Sequence, residues 1–155
     1  MNPEMIGLPY WMDRVLEEHS KLGGELSVEP IHDLRVALRR CILIADVMKG
    51  LDPGGDWKSM RKAGRRIFQR LGALRDTQVL TVWVKKLGSP GEVLTDWLLE
   101  FLKSSDEKNR IDARDALKKF DRKQWRTSMR KLSNHYRHVV SNRPACESLL
   151  LEMWN

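Results

Sequence analysis

The chain has 155 residues, 41% of them hydrophobic and 32% charged, which suits one folded domain over residues 1–155 and excludes a disordered segment. No apolar run approaches the roughly 18 to 20 residues that cross a bilayer, and the first residues lack the pattern of a signal peptide. Two cysteines, Cys41 and Cys146, are too few for a disulfide framework, so the expected compartment is the cytoplasm, and the net charge of +7 points to an anionic partner.

Met5 to Leu22 reads as a first amphipathic helix, stopped at Gly23-Gly24. Pro30 suits the first turn of a second helix, expected from about Ile31 to Leu51 and closed by Asp-Pro-Gly-Gly. A third begins near Trp57 behind Asp56 as N-cap and runs to about Leu87, with a kink expected at Gly72. Gly88-Ser-Pro-Gly91 breaks it. A fourth helix is expected from Glu92 to about Phe120 and a fifth from about Lys123 to Val140. Strand signals are nearly absent. The predicted fold is therefore all-α, an antiparallel bundle of about five helices, with basic residues lining a cleft.

The whole charge excess sits between His32 and Arg75, where eleven Lys or Arg face four Asp. On a helical wheel of the second helix, Leu34, Ala37, Leu38, Cys41, Ile44, Ala45 and Met48 form one apolar arc. Val36, Leu43 and Val47 form another, nearly opposite. His32, Arg35 and Arg39 lie between them on a strip roughly 60° wide. Apolar flanks on both sides predict that the strip lines a cleft between packed helices. The third helix has a core face through Trp57, Met60, Ile67, Leu71 and Leu74, and a row of Lys58, Arg61, Lys62, Arg65, Arg66 and Arg70 opposite it. Like charges one turn apart cost a few tenths of a kcal/mol each, and no acid relieves them here. If that helix stays straight, Arg75 falls on its apolar face beside Asp76. A third row, Arg110, Arg114 and Lys118, repeats every four residues on the fourth helix.

His32-Asp-Leu-Arg35-Val-Ala-Leu-Arg39-Arg40, followed by Leu71-Gly-Ala-Leu-Arg75-Asp76-Thr-Gln-Val-Leu80, resembles the conserved-histidine α-helical domain, CHAD. The segment Arg110-Ile-Asp-Ala-Arg114 is similar to its next basic helix, and the resemblance covers about residues 28–140. It implies a helical bundle that binds inorganic polyphosphate in a basic cleft, in the cytoplasm and often at polyphosphate granules. Carried over by position, His32, Arg35, Arg39 and Arg40 match the first motif, and Arg75 and Asp76 the second, Asp76 as a structural partner. The family usually has two similar helical halves, whereas this chain resembles one. The apolar run Leu149 to Trp154 then becomes a candidate surface for pairing two chains in a homodimer.

Polyphosphate offers about one negative charge per phosphate and no base to read. A binder needs closely spaced cations, and arginine can bond two phosphate oxygens at once. His32, expected in the first helical turn, would gain charge on contact with phosphate, which implies tighter binding near pH 6 than near pH 8. Nucleic acid is the weaker alternative: no recognition motif is visible, and most of the six tryptophans are expected in the core. An enzyme is weaker still. His135 and His138 lack a third metal ligand, no acidic magnesium site accompanies them, and they are expected at the surface. No metal and no cofactor are expected.

Overall fold

The computed structural model describes residues 7–142. Their helices are α1 (Leu8–Lys21), α2 (Val28–Leu51), α3 (Trp57–Leu87), α4 (Val93–Lys118) and α5 (Arg122–Ser141), with no strand among the described residues. The chain winds as a meander in which α1 packs on α2, α2 on α3 and α3 on α4. α5 returns beneath to α1 and touches α3. The all-helical bundle expected from the periodicity is what forms. Residues 149–154 lie outside the described residues.

Local chemistry sets the helix ends. Asp56 caps α3 by accepting from the Ser59 amide, and Asp121 caps α5 by accepting from the Gln124 amide. Between α3 and α4, Gly91 has φ of +81°, a left-handed conformation that favours glycine. α2 starts one turn earlier than the sequence pattern suggests, because Pro30 sits within its first turn and the Ile31 amide already bonds the Ser27 carbonyl. His32 therefore lies in the second turn, past the free amides that would have drawn an anion to it. α3 runs unbroken through Gly72, so no helix end marks that glycine.

The core joins Met12 and Val15 of α1, Leu34, Leu38 and Cys41 of α2, Ile67, Leu71 and Leu74 of α3, Leu117 of α4 and Trp125 of α5. Trp125 closes it from below, donating its indole N–H to the Met12 carbonyl at 3.0 Å within the core. Past Thr77, α3 buries no further residue, and α4 buries only Thr95 and Leu102 before Ala113. The distal part of the α3–α4 hairpin is thus an arm with little core of its own.

His19 ties three helices together. Its Nε2 bonds the Leu117 carbonyl at 2.9 Å, and Nδ1 accepts from Arg122, which also donates to the Leu16 carbonyl. That geometry needs a neutral ring with its proton on Nε2. Burial, against the raising effect of the Leu117 bond, holds the imidazole below its usual value, and Arg122 adds to the lowering. An unfolded His19 takes up its proton first, so its contribution to stability is complete above about pH 6.5 and falls away as the pH drops below that. Denaturant midpoints measured from about pH 8 to about pH 5 should decline more in the wild type than in His19→Gln. Superimposable profiles for the two proteins would remove this role.

Candidate functional site

The strip on α2 turns toward α3 at one residue, Arg35. Its Nη1 donates to the Phe68 carbonyl at 2.9 Å, and its guanidinium lies 4.4 Å from the centre of the Phe68 ring. A Cβ on Gly72 would stand 2.5 Å from that same nitrogen. Gly72 is therefore a slot for Arg35, which explains the glycine inside a long helix better than a kink does. Burial lowers the Arg35 pKa; the carboxylate of Asp76 opposes that, and Arg75 and Arg39 add to it. These influences place Arg35, Arg39, Arg75 and Asp76 in one electrostatic neighbourhood, so the two sequence motifs converge in space. Half-buried Arg75 remains on an unbroken α3.

Gly72→Ala separates the slot from the helix. Alanine favours helix over glycine by about 1 kcal/mol, which offsets roughly 1–2 kcal/mol of lost Arg35 contacts. The melting midpoint should hardly move, while the Arg35 guanidinium is pushed out of its slot. A steep fall in the midpoint would instead make Arg35 a residue that holds α2 to α3.

The walled cleft expected around His32, Arg35 and Arg39 is not formed by the described residues. Leu43 and Val47 of the second apolar arc are 51% and 50% exposed, because no helix among the described residues covers that side of α2. His32 and Arg39 are exposed on the same open side. Arg40 points elsewhere: its guanidinium sits 5.7 Å from the Trp11 ring centre on α1.

On α3 the basic row faces solvent. Arg61, Lys62, Arg65, Arg66, Gln69, Arg70 and Ala73 outline a shallow groove of about 560 Å³. Lys62, Arg65 and Arg66 are exposed. Arg61 is partly neutralised by Asp46, whose Oδ1 lies 2.6 Å from its Nε and 2.9 Å from Lys49. Those two cations, the Lys49 bond foremost, keep the Asp46 carboxyl below its ordinary range. Arg70 reaches Asp112 of α4 at 3.5 Å. The α3 row is thus less free of acids than its own helix suggests.

The α4 row does not join this face. Arg110 is an anchor: its Nε lies 2.6 Å from Asp106, and its Nη1 donates to the Leu26 carbonyl in the α1–α2 connector at 3.2 Å. Arg114 and Lys118, one and two turns on, follow Arg110 to that side of α4. Toward α3, α4 presents Asn109, bonded to Thr77 Oγ1 at 2.7 Å, and Asp112. Among the histidines, His135 holds Asp52 Oδ2 at 2.8 Å from Nδ1, and the Trp57 indole N–H donates to the same oxygen. His138 is exposed. Among the described residues, no group of three or more His, Cys, Asp or Glu is placed to hold a metal ion, and no helix is long and apolar enough to cross a membrane.

The tryptophans depart from expectation. Trp57 and Trp125 are buried and Trp11 is half-buried, but Trp83 and Trp97 are exposed on the α3–α4 arm. Among the described residues, no helix covers that side of the arm.

Among the described residues, fold and surface define an all-helical bundle with an open basic face where α2 meets α3. Residues 13–154 match the family model of the CHAD domain, and the chain belongs to that family. No curated protein and no solved structure matches the chain.

Proposed function

We propose that this protein binds inorganic polyphosphate along the open face of α2 and α3, as a binder without catalysis, in the cytoplasm and at polyphosphate granules. The observation that carries the reading is Arg35, fixed against Phe68 and Gly72 with Arg39, Arg75 and Asp76 in its electrostatic neighbourhood, beside a groove edged by Lys62, Arg65, Arg66 and Arg70. Cations one helical turn apart, about 5–6 Å, match a polymer that repeats its charge at each phosphate and offers nothing else to recognise. Arg35 is held in place before any ligand arrives, which lowers the ordering cost of binding. Membership of the CHAD family supports the same ligand.

Competition at equal phosphate is the test. Polyphosphate should displace a labelled polyphosphate probe far better than short single-stranded DNA does, and binding should weaken steeply as salt rises. Equal displacement by DNA would overturn the reading. The nucleic-acid alternative draws on one specific observation, the exposed rings of Trp83 and Trp97, since aromatic faces stack on bases. The Trp83 ring stands thirteen residues along α3 from Arg70, about 20 Å at helical rise, and Trp97 lies on α4.

A further inference from the structure

We infer that the α3–α4 arm is the interface through which two copies of this chain pair. Leu80, Trp83 and Leu87 follow one another at i, i+3 and i+7 on α3, and Leu94, Trp97 and Phe101 do so on α4. All six are exposed; Trp83, Trp97 and Phe101 are 50%, 61% and 57% accessible, and Trp97 stacks on Phe101 with ring centres 5.9 Å apart. The reverse side of the hairpin is a polar groove that includes Gln78, Lys85, Asp96 and Lys103, so the two apolar stripes share the other side.

The size of the patch calls for a cover. A large aromatic side chain presents roughly 150–250 Å², so the three half-exposed rings offer on the order of 400 Å². The flanking Leu and Val residues bring the face toward the 800 Å² or so that each partner contributes to a stable pair. A folded monomer seldom exposes a contiguous apolar patch beyond a few hundred Å².

A second copy fits because the face complements itself. Two apolar helical hairpins laid face to face make a four-helix bundle, and a twofold axis lets each α3 pack on the partner subunit's α4. The edges match as well. Lys86 flanks the α3 stripe, with its ammonium 5.4 Å from the centre of the Trp83 ring, and Glu100 stands at the rim of α4 where the apolar stripe gives way to the polar groove that it lines. Pairing α3 with the other copy's α4 sets these opposite charges across the rim.

Sedimentation and light scattering of the full chain at micromolar concentration should return twice the 18.1 kDa monomer mass. Trp97→Glu/Phe101→Glu should be monomeric with an unchanged helical circular-dichroism signal. Lys86→Glu should weaken the dimer about tenfold and Lys86→Glu/Glu100→Lys should restore it, which keeps the test valid if the first variant misfolds. Three results each overturn the inference: a monomeric wild type, including one that floats with phosphatidylcholine vesicles; a dimer that persists in folded Trp97→Glu/Phe101→Glu; or a charge swap without rescue.

Discussion

Arg35→Ala/Arg39→Ala is expected to weaken polyphosphate binding by about ten- to a thousandfold. Half-buried Arg35 forms the stronger contact, since charge-assisted hydrogen bonds contribute about 1.5–3 kcal/mol. Exposed Arg39 is screened and adds about 1 kcal/mol or less. Every 1.4 kcal/mol is a factor of ten in affinity. Two controls separate site from charge. Arg130→Ala/Arg137→Ala removes the same number of charges from the α1–α5 groove and should bind nearly as well as the wild type. Thermal melting of the Arg35 variant shows how much the lost Phe68 contact matters to the fold. Calorimetric titration of all three reads the outcome, and equal losses in the two double variants would reduce the site to general charge.

Trp125→Ala should lower stability by about 3–5 kcal/mol, the usual cost of removing a buried ring. The indole fills the space between α1, α3 and α5, packs 5.4 Å from the Phe120 ring and pairs with the Met12 carbonyl. Truncation leaves a cavity and removes the second hydrogen bond on the Met12 carbonyl, so the loss should exceed that for an ordinary core leucine at the edge of the bundle. Urea unfolding checks this, and a loss below about 1 kcal/mol would mean that α5 is not part of the cooperative unit.

Much of the architecture was legible in the sequence because glycine-proline breakers and apolar periodicity act locally. The start and end of α3 come out where Asp56 and Gly88 place them. What periodicity leaves open is which neighbour, if any, covers a given face. Val36, Leu43 and Val47 make an apolar arc on the wheel, but the wheel contains no helix to cover them. The same gap leaves Trp83 and Trp97 at the surface, although most tryptophans were expected in the core. Long basic side chains pose the opposite problem. Arg61 looks free within its own helix and Arg110 looks paired only with Asp106, yet Asp46 of α2 and the Leu26 carbonyl also hold them, and both of these partners are remote in sequence. Gly72 read as a kink because glycine has several uses; only the position of Arg35 reveals the one that applies. One signal was available: Arg35 and Gly72 belong to the two motifs whose joint occurrence carries the family resemblance.

The unbroken course of α3 ties two surfaces into one rigid body. Its 31 residues form a rod of about 45 Å, with the arginine groove along one stretch and the apolar arm at the other end. A chain docked on a polymer has no hinge within α3 through which the arm could reorient. A strand long enough to hold several chains would set their arms side by side at millimolar effective concentration. The ligand would then act as an assembly template, and self-association would rise with polymer length until excess polymer spreads the chains apart.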